Sequence, residues 1–200
     1  NNASKITFAD RIETDTAGAE TGFVNGSSTT PRIDLISRAV KINGTLQAEE
    51  LNVVTGANKV AYSDLQAEQM SAATVKPALA LDVSALGGMY AGRITMVGTE
   101  NGVGVKNAGV MEAVGEAGSI LLNVNGRITF IQSVETENGE SSVLSRVTAQ
   151  KNIELQSSDT IEFADDVTAG VDFTVNAKNI IADKQLTAGI YRPVSYTHLR

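Results

Sequence analysis

The chain has 200 residues, 42% of them apolar but only 4% aromatic, and it contains no cysteine, no tryptophan and a single histidine. That apolar fraction excludes a disordered chain, and zero cysteines exclude a disulfide scaffold, thiolate metal sites and cysteine nucleophiles. A net charge of −7 argues against nucleic acid or an anionic membrane as partner, and no apolar run approaches the length that spans a bilayer.

In chain order, short apolar–polar alternations begin at Lys5–Phe8 and continue at Glu50–Val53, Arg93–Val97, Ser119–Val124 and Arg127–Phe130. Further copies lie at Asn152–Leu155, Thr160–Phe163 and Asp172–Val175. Each is the pattern of a short, half-buried strand. Asn43-Gly44, Asn101-Gly102, Asn125-Gly126 and Asn138-Gly139 punctuate them, residues that accept positive φ at little cost and mark turns.

The spacings set the architecture. Ile153 to Phe173 is 20 residues, Ile94 to Ile120 is 26, Ile128 to Ile153 is 25 and Ile161 to Ile180 is 19. Units of about 20–26 residues holding two or three strands predict an all-β parallel β-helix, a β-solenoid. At ~4.8 Å per coil, about seven or eight coils would make a rod on the order of 35 Å long. Its interior would be stacked Ile, Val, Leu and Ala, with few aromatics. Hairpins are not expected, because paired strands about two-residue turns should be longer.

Two stretches break the rhythm. Residues 13–31, rich in Thr, Gly, Ala and Ser, read as a loop leaving the coil. Residues 56–78 include Ser63-Asp64-Leu65-Gln66, which has the form of a capping box and predicts a short helical turn or an ordered excursion. Such excursions are the first places to expect binding. The last segment, 189–200, holds the only histidine, His198, and no acidic residue; it reads as foreign to the coil pattern.

Four ordered segments carry a family resemblance: Pro31–Gly44 (PRIDLISRAVKING), Ala48–Asn58 (AEELNVVTGAN), Ala80–Ile94 (ALDVSALGGMYAGRI) and Val97–Gly109 (VGTENGVGVKNAG). Over roughly residues 1–130 the chain resembles the two-partner-secretion domain of filamentous-haemagglutinin-like exoproteins. The resemblance implies a right-handed β-helix, secretion by a Gram-negative bacterium through a dedicated outer-membrane transporter, and a place at the cell surface. It implies a division into the C-terminal part of the secretion domain (1–110), haemagglutinin-type repeats (111–188) and the off-pattern tail (189–200). The family's asparagine–proline recognition motifs are expected upstream of Asn1, since no Asn-Pro pair occurs in the chain. The function implied is a rigid stalk of a large secreted adhesin, contacting host or bacterial surface receptors or glycans. The alternatives are the stalk of a contact-dependent growth-inhibition toxin, or a carbohydrate-active β-helix enzyme.

No catalytic, cofactor-binding or metal-ligating residue is assigned. Val103-Gly104-Val105-Lys106-Asn107 lacks the Gly-Lys-Ser/Thr ending of a phosphate loop and reads as turn sequence. Asp159, Glu162, Asp165 and Asp166, with Lys151 nearby, form the densest acidic cluster. They read first as a solvated face, with a weak calcium site at Asp165–Asp166 as the sharper alternative. Thr7, Thr95, Thr129, Thr174, Asn52, Asn123 and Asn152 are expected to form an outward polar ladder.

Overall fold

The computed structural model describes residues 6–7, 32–61, 63–71 and 75–189. The loop expected at 13–31 and all of the tail after Gly189, His198 included, lie outside them.

The described chain is a parallel β-helix with three faces. The first face stacks Ile6–Thr7, Val40–Ile42, Leu79–Val83, Gly104–Asn107, Ile128–Ile131, Thr160–Ala164 and Asn179–Ala182 in that order, every pair parallel. The second and third faces share one sheet, because strands Thr45–Thr55 and Gly88–Gly98 run across both. The second continues through Val110–Ala113, Arg146–Ala149, Val167–Ala169 and Leu186–Thr187. The third begins at Arg32–Ser37 and continues through Ser119–Val124, Ile153–Ser157 and Phe173–Asn176. Five coils are complete among the described residues, between a leading and a trailing partial coil. Six steps separate the seven strands of the first face, or ~29 Å at the spacing of paired strands.

Side-chain alternation explains why these segments stack. In Ile153–Ser157 every second residue is buried, and its inward Ile153 and Leu155 lie over Ile120 and Leu122 below and under Phe173 and Val175 above. Each fully buried Ile or Leu contributes about 1.5–3 kcal/mol, and a slip of one residue would turn the whole set outward. The second face adds a narrow column, Ala48, Ala91, Ala113, Ala149 and Ala169, all buried and in register. The turn from second to third face occurs where Glu49 and Gly92 drop out of the register of the two long strands. A Cβ on Gly92 would sit 2.8 Å from the Glu49 carbonyl oxygen, so glycine permits the tight corner.

Three expectations change. Ile153 registers with Ile120, not Ile128, whose partner is Ile161; the 25-residue spacing joins different faces and is not a coil. Ser63–Gln66 is an ordered excursion that starts no helix, although the Leu65 N–H donates to the Ala61 carbonyl (2.9 Å) across one turn. It closes an antiparallel hairpin of Asn58–Val60 with Ala67–Gln69, in which Leu65 has φ 57° and the Gln66 N–H bonds the Asp64 carboxylate. A second hairpin, Val134–Glu137 with Glu140–Val143, turns at Asn138-Gly139, both at positive φ. These inserts stretch the local period, so Ile94 follows Leu51 by 43 residues and Ile153 follows Ile120 by 33. The uninterrupted coils keep a shorter repeat, such as the 19 residues from Ile161 to Ile180.

Candidate functional site

The densest polar structure lies where the third face turns into the first, beneath the hairpin 58–69. Arg38 follows the strand Arg32–Ser37, and Glu100 follows Gly88–Gly98 two coils further on. Both are buried. Arg38 donates from Nε to Glu100 Oε2 (3.0 Å) and from Nη2 to Oε1 (2.7 Å), the fork geometry that guanidinium and carboxylate share. These bonds hold the Glu100 carboxyl below its ordinary range. Burial works against them, while the Lys76 ammonium and the Ala57 backbone N–H assist. The Arg38 pKa is raised further by the same bonds.

Around the pair, Thr99 Oγ1 donates to Asn58 Oδ1 (2.5 Å), and Asn58 Nδ2 donates to the Thr55 carbonyl (2.9 Å). Lys76 Nζ donates to the Asn101 carbonyl (2.7 Å), and the Met70 N–H to the Ala57 carbonyl (2.6 Å). The hairpin is therefore pinned to the coil at its base. A cavity of about 410 Å³ opens there, lined by Arg38, Ala57, Gln69, Met70, Ser71, Lys76 and Glu100. Both oxygens of Glu100 accept from Arg38, so the pair ties two turns of the helix together.

The sequence candidates are dispersed. Glu162 faces outward and pairs with Arg127 (3.0 Å) rather than with Lys151. Asp165 is buried at a corner between the first and second faces, and its Oδ1 accepts the Asp166 N–H (2.9 Å). Asp166 Oδ1 accepts the Gln185 N–H (2.9 Å) of the trailing coil, and Asp159 Oδ1 accepts from the Thr160 hydroxyl (3.2 Å). These carboxylates cap backbone and turns, and among the described residues no group of three acidic or histidine side chains could hold a metal ion. Gly104–Asn107 is a strand rather than the turn expected there, and its Lys106 pairs with Asp82 (3.0 Å).

The outward polar residues do not form one ladder. Thr95 lies over Asn52 on the third face, while Thr129 stands between Lys106 and Glu162 on the first. A threonine ladder does occur, at Thr148, Thr168 and Thr187 on the second face. Arg38 and Glu100 escaped sequence reading because each looks like an ordinary turn residue. Asp34 and Lys41 flank Arg38 within Ile33–Ile42, so one more charge there gave no signal.

Stacked parallel coils, a buried ion pair and two extruded hairpins define a β-helical domain. The chain belongs to the TPS secretion domain family, whose profile matches residues 2–130. It is 48% identical over 99 residues to tRNA nuclease CdiA-2 of Burkholderia pseudomallei (strain 1026b), covering 50% of this chain and 3% of that protein. It is 45% identical over 97 residues to Toxin CdiA of Yersinia pestis (48% and 3%) and 42% identical over 107 residues to 16S rRNA endonuclease CdiA of Enterobacter cloacae subsp. cloacae (54% and 3%). The matched region thus spans about 3% of the length of these relatives. Among solved structures, a filamentous hemagglutinin secretion domain aligns at 20% identity with a TM-score of 0.38, covering 78% of this chain and 46% of that one. Proteins with a TPS secretion domain are exported by Gram-negative bacteria through an outer-membrane transporter and reach the cell surface or medium. The secretion domain is itself non-catalytic.

Proposed function

We propose that this chain is the late part of the secretion domain, together with the first stretch of rigid stalk, of a large surface exoprotein that delivers a contact-dependent toxin. The observation that carries this reading is its 42–48% identity to three toxin proteins in which the matched region occupies about 3% of the length. In such a protein the toxic activity would reside elsewhere, and these coils would supply export and reach. Residues 1–110 would belong to the secretion domain, and the coils of 111–188 would extend it as repeats.

A second reading, a cell-surface adhesin, is favoured by the two hairpins. The strands of hairpin 134–143 are exposed at every position, a surface that coil packing does not use. Receptors or glycans would be met there, or at the hairpin 58–69.

The test is made in the bacterium that produces the protein, with an epitope inserted at Asn138-Gly139. Staining of intact cells that is lost when the partner transporter gene is deleted supports the export reading, and staining indifferent to that deletion overturns it. Coculture then separates the two roles. Growth inhibition of neighbouring cells supports toxin delivery, whereas attachment without inhibition supports the adhesin.

A further inference from the structure

Two interior columns hardly distinguish one coil from the next. On the first face Val40, Leu81, Val105, Ile128 and Ile161 lie in line, and on the third Ile33, Leu51, Ile94, Ile120 and Ile153. Branched aliphatic side chains of similar volume exchange at small cost. Within the first three levels, a slip by one whole coil would keep branched aliphatic side chains stacked in both columns.

Arg38 and Glu100 break that degeneracy. They belong to the leading coil and the second complete coil, so their bond skips the level between them. The skipped corner is Thr55-Gly56-Ala57, and it is stitched to both partners. The Gly56 N–H donates to the Arg38 carbonyl (3.2 Å), and the Ala57 N–H serves the Glu100 carboxylate. Gly56 has φ 114°, and a Cβ there would collide with Thr99 Oγ1 and lie 3.2 Å from the Glu100 nitrogen. The middle coil thus presents bare backbone where the outer two close on each other.

We propose that the Arg38–Glu100 pair is a register key that fixes the order of the first three levels and makes them one cooperative unit. Only the native order gives both buried charges a partner. Any slipped stack separates the guanidinium from its carboxylate, and breaking a buried pair is strongly unfavourable, whereas replacing both charges by apolar residues is often tolerated. Fixing register is the best-attested use of a buried polar pair. The inference rests on geometry alone and stands whichever cargo the exoprotein carries.

Hydrogen exchange read by mass spectrometry on the full 200-residue chain tests it, with the variants R38M, E100M and R38M/E100M. In either single variant, exchange should rise about tenfold or more, together, in 32–37, 50–55 and 93–98, while 153–157 keeps its protection. A rise confined to 32–37, or one spread evenly through 153–157, overturns the cooperative unit. In the double variant, two isotope populations should appear in 50–55 or 93–98, reporting native and slipped stacks. A single population at the native rate overturns the register key. Should both single variants fail to fold, E100Q keeps an acceptor for Arg38, and the same pattern of strands is read there.

Discussion

Phe130 and Phe163 stack on successive coils with ring centroids 5.5 Å apart and planes 10° from parallel, and Phe173 meets Phe163 edge-on at 5.8 Å. Phe130 and Phe163 are in direct register on the first face, whereas Phe173 reaches in from the third. One aromatic thus bridges two faces. It does so beside the column in which Asn107 lies below Phe130 and Ala182 above Phe163.

Phe163→Ala should therefore cost about 3–5 kcal/mol, since it empties a site touching both rings. Ile181→Ala, on the outward side of the adjacent strand and 42% exposed, should stay within about 0.5 kcal/mol. Urea unfolding of the two variants checks the contrast, and equal effects would place the core elsewhere.

Acid should weaken the corner beneath the first hairpin. Glu100 is held below its ordinary range when folded, so between the folded and unfolded values the unfolded chain binds more protons. Its contribution is fully present above the unfolded value, about 4.3, and is lost as pH falls through the folded one. Glu100→Gln should lower stability at neutral pH and flatten its decline between about pH 5 and pH 3. Unfolding midpoints measured across that range give both slopes, and an unchanged slope would assign the acid sensitivity to other carboxylates.

Gly102 and Gly104, two residues apart, should respond to substitution for different reasons. A Cβ at Gly104 would stand 2.5 Å from the Arg127 carbonyl oxygen, whereas at Gly102, with φ 76°, nothing lies within 4 Å. Gly104→Ala should cost about 1–3 kcal/mol through overpacking. Gly102→Asn should cost less than about 1 kcal/mol, because asparagine tolerates the left-handed region. Thermal unfolding ranks the pair, and the reverse order would contradict the corner geometry.

Replacing 134–143 by two glycines should change stability by less than about 1 kcal/mol, since a hairpin exposed along both strands contributes little packing. The anchors that close its base, the Ser133 N–H on Ser145 Oγ (2.9 Å) and the Leu144 N–H on the Ser133 carbonyl (2.8 Å), stay in place. Calorimetry compares the two proteins. A large loss would mean that the hairpin supports the coils.

Strand placement was legible wherever alternation was strict. Ile153–Ser157 and Phe173–Asn176 lie within a residue or two of their predicted bounds, because the inward Ile153, Leu155, Phe173 and Val175 are apolar and a slip would turn them outward. The hairpins were not legible as hairpins. Glu135, Thr136, Glu137, Glu140, Ser141 and Ser142 bury nothing, so no hydrophobic period marks them, and only the Asn138-Gly139 turn showed. The alanine column had no signal before register was known, since Ala48, Ala91, Ala113, Ala149 and Ala169 are single residues scattered over 122 positions.

Composition and local pattern by themselves determined an all-β chain of short stacked strands, with a narrow aliphatic interior and no use for cysteine or tryptophan. They did so because pairing within a coil repeat is a local property, written every 20 residues or so. Which coil lies on which, and which turn charges meet across a skipped level, only the tertiary structure decided. Arg38 and Glu100 are 62 residues apart, and nothing near either one encodes the other. Burial brings them together, and the high cost of an unpaired charge out of water makes that meeting specific.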